Sequence, residues 1–271
     1  MDHSDTLGWP IKVGSALFTL VEPRRGHEVA YNRWYERDHF YAGCMIGPYL
    51  FAGRRWVAPR RLKDLRFPAD SPVAEPVDAG SYLAIYWRLK GKEDEASAWS
   101  QPNVFWLYQN DRGFDERTHV HTSNYSFDTV QYASDDPVPL ALALDHFYEG
   151  LAAVFVEPVG CSDEECRAWL AANAIPKLLA GGSVATVASF SLPASRRNAP
   201  KQASPMPLGT DGGTDDRIIQ LCFLEQEPGS CWDDIRAYAA AVDAGGKGRV
   251  TFAAPFIPTD VGTDRYTDEL W

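Results

Sequence analysis

Residues 38–43 read DHFYAG and residues 145–150 read DHFYEG. Each hexapeptide sets an imidazole beside a carboxylate and a phenol, a combination suited to proton transfer because imidazole titrates near neutral pH. His39 follows Tyr35 by four residues and Tyr31 by eight, so on a helix all three share one stripe. A histidine on such a stripe either works as general acid or base, or is a structural side chain hydrogen-bonded to a carbonyl. Asp38 and Tyr41 join it as candidates, with capping of the helix end as their alternative role.

A second group follows in THVHT, where His119 and His121 lie two apart, so an extended backbone turns both to one face. Ser123 and Tyr125 continue that row, and a polar row on a central strand predicts a hydrogen-bonding wall for a substrate. As metal ligands the two histidines need a third partner that no spacing supplies, so no metal is expected. Arg54 and Arg55 alternate along one segment. One of them can neutralise an oxyanion or a substrate carboxylate, the alternative being an ion pair with a surface acid. Tyr86 and Trp87 also face opposite ways, and Tyr86 is taken as the one lining the site.

These residues need elements to hold them, and the chain describes its elements twice. Val21-Glu22-Pro23 returns as Val156-Glu157-Pro158, and Trp34 returns as Trp169, both 135 positions on and without a gap. In the first half, strands are expected at 15–22, 49–57, 81–89 and 118–132. Helices are expected at 28–45 and over EDEASAWSQPNVFWLYQN, with a break at Pro102. The second half repeats the order, with strands at 150–157, 183–192, 217–226 and 249–258. Its helices are expected at 162–179, opened by a Ser162/Glu165 capping box, and at 230–244. A polar excursion spans 193–216 and is expected to be mobile.

Each half is β-α-β-β-α-β, the ferredoxin-like motif, whose last strand neighbours its first. The fold class is therefore α+β, with tandem repeats that bury each other's bare sheet faces and form an intramolecular pseudo-dimer. The expected division is 1–132 for the first repeat, 133–149 for the connection and 150–271 for the second. On the 135 offset Asp38, His39 and Tyr41 map to Asn173, Ala174 and Pro176, so the site is expected in the first half alone. The echo DHFYEG lies 107 positions on, out of register, which makes His146 a residue of the connection.

Bulk composition bounds the function. Thirty-seven acids against twenty-six bases give a net charge of −11, which argues against a nucleic-acid partner. Nine Trp, twelve Tyr and thirteen Phe exceed what a surface would carry and suit a large core or an apolar pocket. Five cysteines without a CxxC pair read as buried thiols in a reducing cytoplasm. Neither a signal-peptide core nor a run of transmembrane length is present, so no membrane role is expected.

The run YNRWYERDHFYAGCMIGPYLFAGRRW at 31–56 and the tail at 260–271 resemble the dimeric α+β barrel superfamily, most closely its EthD-like branch. The resemblance implies that the two repeats close into one barrel. It also implies a small hydrophobic substrate, aromatic or polycyclic, held between a sheet and its helices. The superfamily includes cofactor-free cyclases, monooxygenases and isomerases as well as haem enzymes, so fold does not fix the reaction. By the match, His39 with Asp38 beside it is the polar centre.

The resulting expectation is a cofactor-independent lyase, cyclase, isomerase or dehydratase working by proton transfer. Its catalytic residues would be His39, His121 and Asp38, and its substrate-binding residues His119, Tyr35, Tyr41, Arg54, Tyr86 and Tyr125. The alternatives are a haem-dependent dehydratase or oxygenase, and a non-catalytic barrel that binds a hydrophobic ligand. The chain is expected to act as a monomeric pseudo-dimer or as a homodimer.

Overall fold

The first strand, VGSALFTLVEP, does not alternate as a strand with one wet face would, and nearly all of it is buried. The fifth, GLAAVFVEP, is buried at every position but its last. Such continuous apolar runs belong to strands covered on both faces. In this computed structural model, which describes residues 11–193, 208–209 and 215–271, one face is covered by helices and the other by the interior of a closed barrel.

Eight strands build that barrel. They are β1 (Val13–Pro23), β2 (Leu50–Val57), β3 (Tyr82–Leu89), β4 (Arg117–Tyr132), β5 (Gly150–Pro158), β6 (Val184–Ser191), β7 (Ile218–Leu224) and β8 (Gly248–Pro258). Their order around it is β1-β3-β2-β8-β5-β7-β6-β4. Each half is therefore a ferredoxin-like sheet with its last strand beside its first, and β2–β8 and β4–β6 join the halves edge to edge. The first helix, α1, is α-helical over Glu28–Trp34 and π-helical over Tyr35–Met45. The other helices that cover the sheets are α2 (Glu93–Gln109), α3 (Asp163–Trp169, continued through a π turn, Leu170–Ala174, into Ile175–Ala180) and α4 (Pro228–Ala244), among the described residues. Both π segments begin straight after the repeated tryptophan, at Tyr35 and Leu170, 135 positions apart.

Local expectations hold with one exception. The Ser162/Glu165 capping box forms, with both reciprocal bonds in place. Helix α2 runs through Pro102 without the expected break. Pro102 and Ala98 both face solvent, so water can satisfy the Ala98 carbonyl that proline leaves without a donor. Four of the five cysteines are buried. Most of the polar excursion at 193–216 lies outside the described residues.

Aromatic rings from both repeats fill the interior. Phe18 meets Phe155 at 5.5 Å, Phe155 meets Phe252 at 5.7 Å, and Trp87 stacks on Phe190 at 5.5 Å. The connection between the repeats covers the interior at one end of β1. Leu140, Leu144 and Tyr148 are buried, the Trp87 indole donates to the Leu140 carbonyl, and Arg54 donates to the carbonyls of Leu144 and His146. At the other end of β1, the β2–β3 excursion places Arg66 5.1 Å from the Phe256 ring, its guanidinium donating to Ala79 and Gly80. Each repeat also lends one residue of its β2–β3 or β6–β7 connection to the other repeat's last strand. Phe67 bridges Ala253, and the Leu208 carbonyl accepts from the Thr122 amide, at equivalent positions of β8 and β4.

The strand register overturns one expectation. Leu20 lies opposite His121, but Val21 lies opposite His119, so Val120 is an extra residue in a β-bulge. The bulge reverses the alternation, and His119 and His121 point to opposite faces. The second repeat has the same slip, with Phe155 opposite Phe252 and Val156 opposite Val250. By this register His121, Ser123 and Tyr125 face the barrel interior, where the second repeat has Phe252, Ala254 and Phe256. His121 Nε2 pairs with the Tyr125 hydroxyl at 2.6 Å, and its ring packs 5.2 Å from Phe155. The row is an internal hydrogen-bonded pair, not a wall shared with His39.

The pair gives a stability test. Tyr125→Phe strands His121 Nε2 and is expected to cost about 1–3 kcal/mol in urea unfolding, the penalty of an unsatisfied buried polar atom. Adding His121→Phe copies the second repeat and is expected to recover most of that loss. A double variant no more stable than the single one would mean that the two side chains do more than satisfy each other.

Candidate active site

A ferredoxin-like repeat has one place for a site outside the barrel, the gap between its sheet and its helices. The two gaps here differ sharply. In the second repeat α4 buries Cys231, Trp232, Ile235, Tyr238, Ala239 and Val242, and β8 beneath it is buried almost throughout. In the first repeat α2 buries only Ala96 and Leu107, and the helix-facing residues of β4, His119, Thr122 and Asn124, are half-buried. Positions that carry Cys166, Leu170, Ala174, Ile218, Cys222 and Val250 in the second gap carry Tyr31, Tyr35, His39, Tyr82, Tyr86 and His119 in the first. The second gap is a packed apolar core, and the first is polar and aromatic.

His39 sits on the π-helical part of α1. Its ring stacks on Trp34 at 4.5 Å and meets the edge of Tyr35 at 5.3 Å. Gly43 permits this position, since a Cβ there would stand 2.8 Å from His39 Cε1 and Nδ1. Nδ1 is buried without a hydrogen-bond partner. Burial, aided by the nearby Arg117 guanidinium and His119, pushes the His39 pKa down to about 3. The imidazole is thus neutral at pH 7 and far from the near-neutral titration that its residue type suggested.

The β-bulge at Val120 delivers His119 to the same gap, facing the helices. Its Nδ1 pairs with Thr122 Oγ1 at 2.7 Å, while its Nε2 is buried without a partner. Burial first and Arg117 second push its pKa down to about 3 as well. Arg117 lies 4.8 Å from the Trp34 ring centroid and donates to the Phe114 carbonyl and the Tyr108 hydroxyl.

Deeper in the gap lies Arg55, its guanidinium 4.5 Å from the Tyr35 ring centroid and 4.9 Å from that of Tyr82. Nη1 donates to Asn32 Oδ1 at 2.9 Å and to Glu36 Oε1 at 3.1 Å, and Nη2 is buried without a partner. The Tyr82 hydroxyl is also buried without a partner. The two side chains that grip Arg55 are themselves held by the C-terminal tail. Asn32 Nδ2 donates to the Thr263 carbonyl at 2.8 Å, and Glu36 Oε2 accepts from the Gly262 amide at 2.9 Å. Arg33 pairs with Asp264, and Leu270 is fully buried. The tail that drew notice in the sequence is a strap from the second repeat across α1 of the first.

Three further sequence candidates, Asp38, Tyr41 and Arg54, fall elsewhere. Asp38 forms a two-pronged ion pair with Arg112 at the rim, and Tyr41 is exposed. Arg54 faces the barrel interior and holds the connection, so Arg55 is the arginine in the gap. Tyr35 and Tyr86 share a hydrogen bond of 2.9 Å between their hydroxyls in the gap, and burial raises both pKa values. The sequence left Arg55 as the alternative to Arg54 and marked Trp34 only as a repeat anchor, and Tyr82 and Arg117 were not among its candidates. The signal for Arg55 was its strand parity with Tyr86, which needed the β2–β3 register to be read. Among the described residues, no cluster of three or more His, Cys, Asp or Glu is arranged to hold a metal ion. No described helix is long and apolar enough to cross a membrane.

Comparison with solved structures finds this architecture in a candidate chlorite dismutase. The two are 9% identical, with a TM-score of 0.53 over 96% of this chain and all of that one. An anthrone oxidase-like protein (9% identity, 94% and 98% covered, TM-score 0.47) and a chlorite dismutase from Candidatus Nitrospira defluvii (10%, 100% and 99%, 0.46) also match. At such identities the likeness is one of fold, and that fold is the dimeric α+β barrel, here made by two fused repeats. No family model matches the sequence. No curated protein matches it in sequence.

The depressed histidines make a stability prediction. A histidine that stays neutral when folded contributes stability that is fully present above its unfolded pKa, near 6.5, and is lost as pH falls towards the folded value near 3. Urea midpoints are therefore expected to fall from pH 6.5 to 5, before most carboxylates protonate. The fall should be shallower in the His121→Phe/Tyr125→Phe variant. Equal slopes in the two proteins would show that His121 is not held neutral.

Proposed function

We propose that the helix–sheet gap of the first repeat is the active site of an enzyme that moves a proton on a small, largely apolar substrate, with His39 as the base. The observation that carries this reading is a neutral imidazole, flanked by aromatic rings, in the repeat whose gap holds tyrosines, histidines and arginines where the other holds aliphatic core. A neutral imidazole accepts a proton from an acidic C–H or O–H without first losing one of its own. Its low proton affinity in the resting site comes first from burial, and Arg117, His119 and Arg55 add to it by opposing the imidazolium. Once a proton moves, the substrate anion offsets those arginines and stabilises the imidazolium beside it. The neutral phenols of Tyr35 and Tyr86 and the free edge of His119 supply donors and acceptors to orient the substrate. Lyase, cyclase, isomerase and dehydratase reactions all contain such a step. Kinship with the EthD-like branch is part of the proposal and rests on the 31–56 and 260–271 motifs.

A second reading draws on the same neutral imidazoles. Haem needs an uncharged histidine as axial ligand, and the first gap has His39 and His119 with Arg55 and Arg117 suited to propionates. The second gap does not fit the group, since no histidine follows His146 and core residues fill the space. Haem bound in the first gap would supply one-electron and oxygen chemistry, with His39 as ligand in place of base.

Two measurements separate the readings. On the first, His39→Gln keeps the fold and slows deuterium uptake from D2O into a panel of small aryl ketones by about 10²–10⁴-fold, the usual range for a lost general base. Gly43→Ala, whose Cβ collides with the ring, is expected to lower the rate in the same direction. The rate profile should show no acid limb between pH 5 and 8. Full exchange by a folded His39→Gln protein would sink the assignment. A Soret band in the purified protein that disappears in His39→Gln would establish the haem reading.

A further inference from the structure

Two hydrogen-bond donors face the first gap with nothing to donate to. Arg55, 4% exposed, has Nη2 unpaired, and Tyr82, 2% exposed, has its hydroxyl unpaired. They are close neighbours, since the Arg55 guanidinium lies 4.9 Å from the Tyr82 ring centroid. Buried donors without partners are rare because each forfeits the hydrogen bond that it makes with water when unfolded. Two of them at one spot mark a place built for an acceptor.

Charge points the same way. The chain carries a net −11, yet three guanidiniums, Arg55, Arg88 and Arg117, lie between this sheet and its helices, where Glu36 is the acid that pairs with Arg55. Glu22 is occupied by Lys63 and Ser81. Asp38 is occupied by Arg112 at the rim. The guanidinium of Arg55 is also fixed in direction. Its Nη1 is held by Asn32 and Glu36, which the C-terminal strap holds in turn, while its main-chain carbonyl accepts from the Thr259 amide at 3.3 Å. A fixed guanidinium with one free nitrogen edge, beside a neutral phenol, is a carboxylate-binding arrangement. Around it stand the rings of Tyr31, Tyr35 and Tyr82, which favour a planar unsaturated body attached to that carboxylate.

We propose that Arg55 Nη2 and the Tyr82 hydroxyl form an anion subsite in the first-repeat gap, and that the ligand of this protein is an aromatic carboxylate. Asn32 and Glu36, tied to the strap, are positioning residues for the guanidinium. The inference rests on reading this gap as the ligand site but not on His39 moving a proton.

The test compares 2-naphthoate with 2-naphthamide by titration calorimetry on the full chain. Naphthoate is expected to bind at least tenfold more tightly than the amide. Arg55→Gln and Tyr82→Phe should each erase most of that difference while leaving amide binding as it was. Because Arg55→Gln leaves Glu36 buried and can unfold the protein, Tyr82→Phe, which removes a single hydroxyl, keeps the result decidable. Calorimetry reads affinity and the deuterium assay reads exchange, so failure of the subsite and failure of the proton-transfer reading are seen separately. Equal affinity for acid and amide, no binding of either, or undiminished naphthoate binding by Tyr82→Phe would overturn the subsite.

Discussion

Closure of the barrel constrains everything else in this protein. Eight strands joined edge to edge enclose a space that water cannot be left in, so side chains must fill it. Phe18, Phe155, Phe252, Trp87 and Phe190 do so, with contacts that run between the repeats. Neither repeat could fill its own sheet face alone, and this is why the duplication folds as one unit. The connection covers one end of the interior and the β2–β3 excursion the other, each through arginine donating to backbone carbonyls. With the interior committed to packing, chemistry is left to the outer faces, between sheet and helix.

The two outer faces of the duplicated unit differ in what fills them. One gap is core: small and aliphatic residues stand where the other has tyrosines and a histidine, and α4 packs onto the sheet. The other carries polar groups, and its α2 buries little against the strands. The price is several buried polar atoms without partners, including His39 Nδ1, His119 Nε2, Arg55 Nη2 and the Tyr82 hydroxyl. Each costs about 1–3 kcal/mol when left unsatisfied, so a cluster of them is a poor choice for stability and a reasonable one for a ligand.

Burying a guanidinium demands a rigid set of acceptors, because its desolvation is offset only by good geometry. The side chains of Arg55 and Glu36 are 3% and 9% exposed, and neither could hold the other firmly without the strap. That requirement explains why the last residues of the second repeat cross to α1 of the first. Lys63 donates to the Leu270 carbonyl and Trp271 donates to Glu28, which pins the far end of the strap. The first repeat therefore depends on the second for more than its core.

Much of this was written in the local sequence. The 135-residue period, the β-α-β-β-α-β order, the capping box at Ser162 and the loss of the His39 position at Ala174 are readable because propensity, periodicity and identity act over short spans. The stripe of Tyr31, Tyr35 and His39 was readable for the same reason, since a π-helical widening still leaves residues four apart in contact. Other features depend on partners far along the chain. One extra residue at Val120, visible only in the pairing of β4 with β1, sent His121 into the barrel and His119 to the gap. Cross-strand register likewise chose Arg55 over Arg54, and α2 hid its exposed face behind an ordinary helical sequence. Strand register and helix docking are decided by which surfaces meet when the barrel closes, and a bulge of a single residue exchanges the two faces of a strand.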